Sequence, residues 1–104
     1  MSTYPVDIKS TTASGVATHD AGGTAGPGRA LGLYVSKEGG QAATTVKILD
    51  NATVLAEFLI PATNLTNAQG MTTYMQFPGT GFRASTALKF QIVTTATSVT
   101  LLHG

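Results

Sequence analysis

The chain of 104 residues contains no cysteine and no tryptophan, and only 11% of it is charged, against roughly a quarter in an ordinary soluble domain. Without cysteine, neither a disulfide framework nor a thiolate zinc site can form. A long apolar run is missing too. The longest stretch, Val54 to Ile60, is interrupted by Glu57 and falls far short of the ~20 residues that span a bilayer, so no membrane role is expected. The six Lys and Arg residues are scattered along the chain and the net charge is +1, whereas nucleic-acid binders gather their cations on one face. The first residues, Met1-Ser-Thr-Tyr-Pro-Val-Asp7, show neither the basic nor the apolar region of a secretory signal. A domain this small often needs a staple, and oligomerisation is one of the few available here. Such a surface is either a neutral coat of hydroxyls and amides or is covered by other protein.

What the chain does contain is alternation. Leu31, Leu33 and Val35 alternate with Gly32, Tyr34 and Ser36, and Val46 and Ile48 alternate with Thr45 and Lys47. Met71, Thr73, Met75 and Phe77 oppose Thr72, Tyr74 and Gln76. Leu88, Phe90 and Ile92 oppose Lys89, Gln91 and Val93, and Val99 and Leu101 close the chain. Period two over short runs rich in Thr, Val, Ile, Tyr and Phe predicts half-buried strands. No window carries a convincing helical period, and Pro61 to Gln69 reads as a loop or a single turn. Gly39-Gly40, Asp50-Asn51, Gly70, Pro78-Gly-Thr-Gly81 and Thr94-Thr-Ala96 punctuate the runs at the spacing of a sandwich or barrel.

One hairpin is predicted in detail. A three-residue loop of Asn51, Ala52 and Thr53 places Lys47 opposite Glu57, Val46 opposite Phe58 and Ile48 opposite Ala56. Opposite charges facing each other contribute roughly 0.2–1 kcal/mol, whereas a two-residue loop shifts the pairing and loses the match. The following stretch breaks alternation, because Leu55 and Leu59 lie opposite Ala56, Phe58 and Ile60. A strand apolar on both faces is usually covered on both, either by a loop of its own chain or by a subunit interface. The Asn-x-Thr triplets at Asn51 and Asn64 read as turn chemistry.

Candidate chemistry is sparse. Gly79-Thr-Gly-Phe-Arg-Ala84 matches a dinucleotide fingerprint only formally, since a strand pattern follows where a helix is required and no acidic residue follows Glu57. His19, Asp20 and His103 would make a metal site only if the chain ends met, and solvated ends are the simpler expectation. Neither histidine sits in the context of a nucleophilic triad. The five carboxylates, Asp7, Asp20, Glu38, Asp50 and Glu57, form no evident acid–base pair. Tyr34 and Tyr74 lie opposite their strands' aliphatic sets, which makes them sheet-surface residues, a protein contact or a sugar platform.

From Gly28 onward the chain resembles small β-sandwich virion proteins of tailed bacteriophages, head decoration or cement proteins among them. The residues that carry the resemblance are Gly28-Arg-Ala-Leu-Gly-Leu-Tyr-Val-Ser36, Thr44-Thr-Val-Lys-Ile-Leu-Asp-Asn51, Met71 to Arg83, Leu88-Lys-Phe-Gln-Ile-Val93 and Ser98-Val-Thr-Leu-Leu102. The resemblance implies a jelly-roll-like or immunoglobulin-like sandwich, often trimeric, bound to a capsid protein on the outside of a virion. It implies no catalytic residue, cofactor or metal.

The combined expectation is an all-β protein: one antiparallel β-sandwich, with a Gly/Thr-rich N-terminal arm or edge strand over residues 1–28 and a sandwich core over 29–104. Its expected role is non-enzymatic, decorating a phage head through contacts with itself and with a major capsid protein. The alternative is a carbohydrate- or receptor-binding module of a tail or fibre. The expected interface residues are Tyr4, Pro5, Val6 and Ile8 in the arm, Leu55 and Leu59 as an apolar outer set, and Arg29, Phe82 and Arg83 beside Gly-rich turns, where arginine and aromatic anchors suit an interface and a solvated Arg or a core Phe is the equal alternative.

Overall fold

The computed structural model describes residues 8–38, 42–62, 71–93 and 98–104. Nine strands form among them: β1 Lys9–Ala13, β2 Thr18–Asp20, β3 Gly28–Lys37, β4 Thr44–Asp50, β5 Thr53–Ile60, β6 Met71–Gln76, β7 Phe82–Ala84, β8 Leu88–Ile92 and β9 Ser98–His103. A single 3-10 turn, Ala21–Gly23, separates β2 from β3. One sheet runs β1-β9-β3-β6, with β7 pairing β3 beyond the end of β6, and the other runs β2-β8-β4-β5. Every pairing is antiparallel.

The pairs are nested. Strand β1 lies on β9, β2 on β8, β3 on β6 and β4 on β5, so the chain behaves as one long hairpin ribbon rolled over on itself. That order is a jelly roll. It excludes the immunoglobulin order, in which the sheets are built ABED and CFG. The antiparallel β-sandwich read from alternation is the architecture observed. Residues 9–20, expected as an arm or edge strand, supply the edge strand of each sheet and belong to the sandwich itself. Residues 1–7, the Gly39-Gly40 and 94–96 turns and most of the 61–69 loop lie outside the described residues.

Period two explains the interior. Leu33 and Val35 of β3, Val46 and Ile48 of β4, Leu88, Phe90 and Ile92 of β8, and Val99 and Leu101 of β9 are fully buried and face one another between the sheets. Along one side the gap between edge strands is closed by aromatic rings. Phe58 of β5 stacks on Phe77 at 5.2 Å, and Phe77 meets Phe82 at 5.0 Å. Phe82 is therefore part of the packing between the sheets, the core alternative to an interface anchor beside its turn.

Two bulges adjust the alternation. Between Ala30 and Gly32 the pairing of β3 with β9 shifts, so Ala30 takes the buried place and Leu31, expected on the inner face, is only partly buried. The second lies in the predicted hairpin. Lys47↔Glu57, Val46↔Phe58 and Ile48↔Ala56 all pair as predicted, yet the loop is shorter, because Asp50 pairs Thr53 and Leu49 pairs Val54. Asn51 adopts a positive φ of 55° at the turn, a conformation that asparagine tolerates. Leu55 is the extra residue, and its bulge restores the register that a two-residue turn alone would have lost.

The Pro78–Gly81 turn brings the backbone against β3. Gly81 has φ +81° and a side chain there would stand 2.0 Å from the Ala30 carbonyl oxygen, whereas Gly79, with φ +62°, has open space around it. Gly81→Ala is expected to cost more than about 3 kcal/mol, because backbone strain and a backbone clash add. Gly79→Ala is expected to cost only about 1–2 kcal/mol from its positive φ. Urea unfolding midpoints of the two variants measure the difference.

Candidate interaction surface

The expected interface residues fall into three groups. Tyr4, Pro5 and Val6 lie outside the described residues, while Ile8, just ahead of β1, is exposed. Arg29 and Arg83 face each other across β3 and β7. Arg29 Nη1 donates to the Thr80 hydroxyl at 2.7 Å and the Thr80 carbonyl at 3.2 Å, which ties its guanidinium to the 78–81 turn. Leu55 and Leu59, expected on one outer face, are separated by the bulge. Leu55 packs against the core, and Leu59 is 70% exposed. Among the described residues β5 is thus an edge strand with Val54 and Leu59 exposed, not an internal strand.

Charge is divided unequally between the two outer faces. On the β2-β8-β4-β5 sheet the outward positions carry Lys47 opposite Glu57, and Lys89 pairs with Asp20 at 2.7 Å. Across the β1-β9-β3-β6 sheet the outward rows are different. Register places Ser10 beside Leu102, Thr12 beside Thr100, Thr100 beside Tyr34 and Tyr34 beside Tyr74, with Ser98, Ser36 and Thr72 in the next row. No charged residue stands in these rows; Arg29 and Arg83 lie past the β3 bulge at one end. Hydroxyls there bond to each other, Thr12 with Thr100 at 2.8 Å and Ser36 with Thr72 at 3.3 Å.

At the centre of this neutral face the Tyr34 and Tyr74 rings lie 4.4 Å apart with a 31° tilt, and they are 41% and 45% exposed. The Tyr74 ring also covers Gly32, where a Cβ would come within 3.2 Å of it. A neutral coat of hydroxyls was expected, but not its gathering into rows on this one sheet. Their only signal in the chain is the Thr and Ser that alternate with apolar residues, and which strands stand side by side is decided by pairings tens of residues apart.

The remaining polar groups serve the scaffold. Asp50 accepts hydrogen bonds from the Ala87 and Thr86 N–H groups at 3.1 Å each, and from the Ser85 N–H and hydroxyl at 3.2 and 3.4 Å. These bonds, that from Ala87 foremost, hold its carboxyl below the usual range against a smaller opposing effect of desolvation. Lys37 is buried at the end of β3 and donates to the carbonyls of Ala42 and Pro61. Desolvation holds its ammonium below the ordinary lysine value.

The histidines do not meet in a metal site. His19 Nε2 donates to the Gly15 carbonyl at 2.8 Å and its ring stands 5.5 Å from Phe90, while Asp20 is taken by Lys89. His103, expected at a solvated end, is buried. Its Nε2 lies 2.9 Å from the Thr11 hydroxyl, which itself accepts the Gly22 N–H at 2.7 Å. The direction of the Thr11–His103 bond follows the imidazole tautomer, since the hydroxyl retains both a proton and a second lone pair. Among the described residues no three His, Asp or Glu side chains converge as a metal site would need. Comparison with protein-family models, curated proteins and solved structures finds no match to this chain.

Two outcomes are expected. Leu55→Ala should destabilise by about 2 kcal/mol or more, as deletion of a packed leucine does, and Leu59→Ala should stay within about 0.5 kcal/mol; denaturant titration compares them. Burial first, and the Lys9 charge second, lower the His103 imidazole below its ordinary value. As pH falls, the unfolded chain therefore takes up this proton first. Stability is complete above about pH 6.5 and declines as pH drops below it through the lower folded-state value. In thermal melts across that range, His103→Gln should flatten the slope.

Proposed function

We propose that the protein is a non-enzymatic structural component of a virion, a capsid decoration protein that packs the outer face of its β1-β9-β3-β6 sheet against other protein. The observation that carries this reading is the unequal division of charge. The central rows of one broad sheet face present hydroxyls, Leu102, the Gln76 amide and a tyrosine pair, with Arg29 and Arg83 only at one end, while the opposite face carries Lys, Glu and Asp residues facing one another. Interface cores are depleted in charge and enriched in tyrosine, and a neutral face costs less to desolvate than a charged one.

The jelly roll supports the reading as a fold used by viral capsid and lectin domains, and the phage resemblance of residues 28–103 supplies the setting. In that setting the protein acts in many copies and is itself oligomeric. Each copy binds only the assembled shell and so stabilises it by mass action. The protein then resides in the virion, with the major capsid protein as its partner.

A second reading rests on the tyrosine pair. Exposed rings at the centre of an uncharged face also suit a carbohydrate- or receptor-binding module of a tail or fibre. Co-sedimentation with empty phage heads separates the two. The decoration reading expects binding that Thr100→Lys or Ser36→Lys weakens and that Thr45→Lys, on the other sheet, leaves intact. No binding to heads, together with glycan-array binding lost in Tyr34→Ala or Tyr74→Ala, would replace it with the second.

A further inference from the structure

The four outermost main strands differ in how they are defended against pairing. Strand β1 carries Lys9, β2 is only three residues long and holds Asp20, and β5 carries Glu57 and the Leu55 bulge. Charges, brevity and bulges are the devices that keep a sheet edge from extending. Strand β6, Met71-Thr-Thr-Tyr-Met-Gln76, has none of them. It is six residues long, uncharged, free of proline and paired without a bulge to β3. Among the described residues nothing pairs its other edge.

The direction of its free groups follows from the ladder. Phe77 donates its N–H to the Leu31 carbonyl at 3.0 Å, continuing the β3–β6 register of Gly32↔Gln76 and Tyr34↔Tyr74. Backbone groups alternate in direction along a strand. Met71, Thr73 and Met75 therefore turn toward β3, while Thr72, Tyr74 and Gln76 aim their N–H and C=O groups away from the sheet. The close approach of the Tyr34 and Tyr74 rings fits this assignment, since side chains are nearer in the pairs that exchange no backbone bonds.

The outward groups form a symmetric set about Tyr74. We propose that β6 pairs antiparallel with β6 of a second copy of this chain across a twofold axis through Tyr74. In that register Tyr74 faces Tyr74 of the second copy and Thr72 faces Gln76. Three outward N–H groups and three outward C=O groups from each copy are then all satisfied. An axis through Thr73 would leave Gln76 beyond the end of the opposing strand, and an axis through Met75 would set Thr72 against Pro78, which has no N–H to give. No like charges oppose each other in the chosen register, because the strand has no charge. The two four-stranded paths join into one continuous sheet whose central rows are uncharged, with four tyrosines in a row across the axis. The contact is twofold, unlike the trimer that the phage resemblance favours.

The test uses the full chain in the absence of capsid, so it stands or falls separately from the decoration reading. Analytical ultracentrifugation of the native protein over a concentration series is expected to give twice the chain mass. Gln76→Pro removes one outward N–H while leaving the bonds to β3 in place, which an edge strand tolerates, and should weaken the dimer at least about tenfold. Because the chain has no cysteine, single thiols report the register. Residues that face each other as a bonded pair lie within disulfide reach. On mild oxidation Tyr74→Cys should form a covalent dimer and Thr72→Cys should not, while a mixture of Thr72→Cys with Gln76→Cys should form the mixed species. A monomeric or trimeric mass for the native protein, or equal cross-linking of the Tyr74→Cys and Thr72→Cys proteins, would overturn the proposal.

Discussion

The structure depends on a single layer of side chains held between two sheets. Leu33, Val35, Val46, Ile48, Leu88, Phe90, Ile92, Val99 and Leu101 are all excluded from water, and each comes from a strand in the interior of its sheet. Burying a side chain of this size is worth about 1.5–3 kcal/mol, and no disulfide shares the burden. Every strand must therefore keep strict alternation over its central residues. The bulges at Leu31 and Leu55 sit toward the ends of the contact, where an extra residue can be absorbed without turning the inner set outward.

That constraint also explains what could be read from the chain. Alternation is local, so the strands β3, β4, β6, β8 and β9 and their buried sets were legible, as was the Lys47–Glu57 register. The turn between β4 and β5 was misjudged by one residue because a bulge and a longer loop give the same pairing over Val46, Lys47 and Ile48. Leu55 and Phe82 looked like surface anchors for a similar reason: their burial depends on the bulge and on Phe77, neither visible in their own neighbourhood. β1 and β2 were faint because Thr, Ser and Ala give weak alternation, and their partners β9 and β8 lie about ninety and seventy residues away.

The scarcity of charge takes on a shape once the strands are placed. On one sheet Lys89 pairs with Asp20 and Lys47 faces Glu57, and several of the other charged groups anchor turns. Asp50 gathers the 85–87 backbone, and Lys37 ties the start of the β3–β4 connection to the residue after β5. The other sheet is left as a field of hydroxyls around Tyr34 and Tyr74. Such a face holds water weakly compared with a charged one and exchanges it readily for another protein's surface. The same economy that makes the exterior neutral also leaves the β6 edge without a deterrent, so face and edge are two results of one composition.

The nested order of the ribbon has a further consequence for how the molecule is made. Strand β9 is inserted between β1 and β3, so during synthesis β1 has no partner among the described strands until residues 98–103 emerge. Until then β1 and the exposed flank of β3 wait as unfinished edges. Contacts of such long sequence separation form slowly. The β1-β9-β3 part of the sheet is therefore completed only once β9 has emerged, whereas the local β4–β5 hairpin has both its strands much earlier.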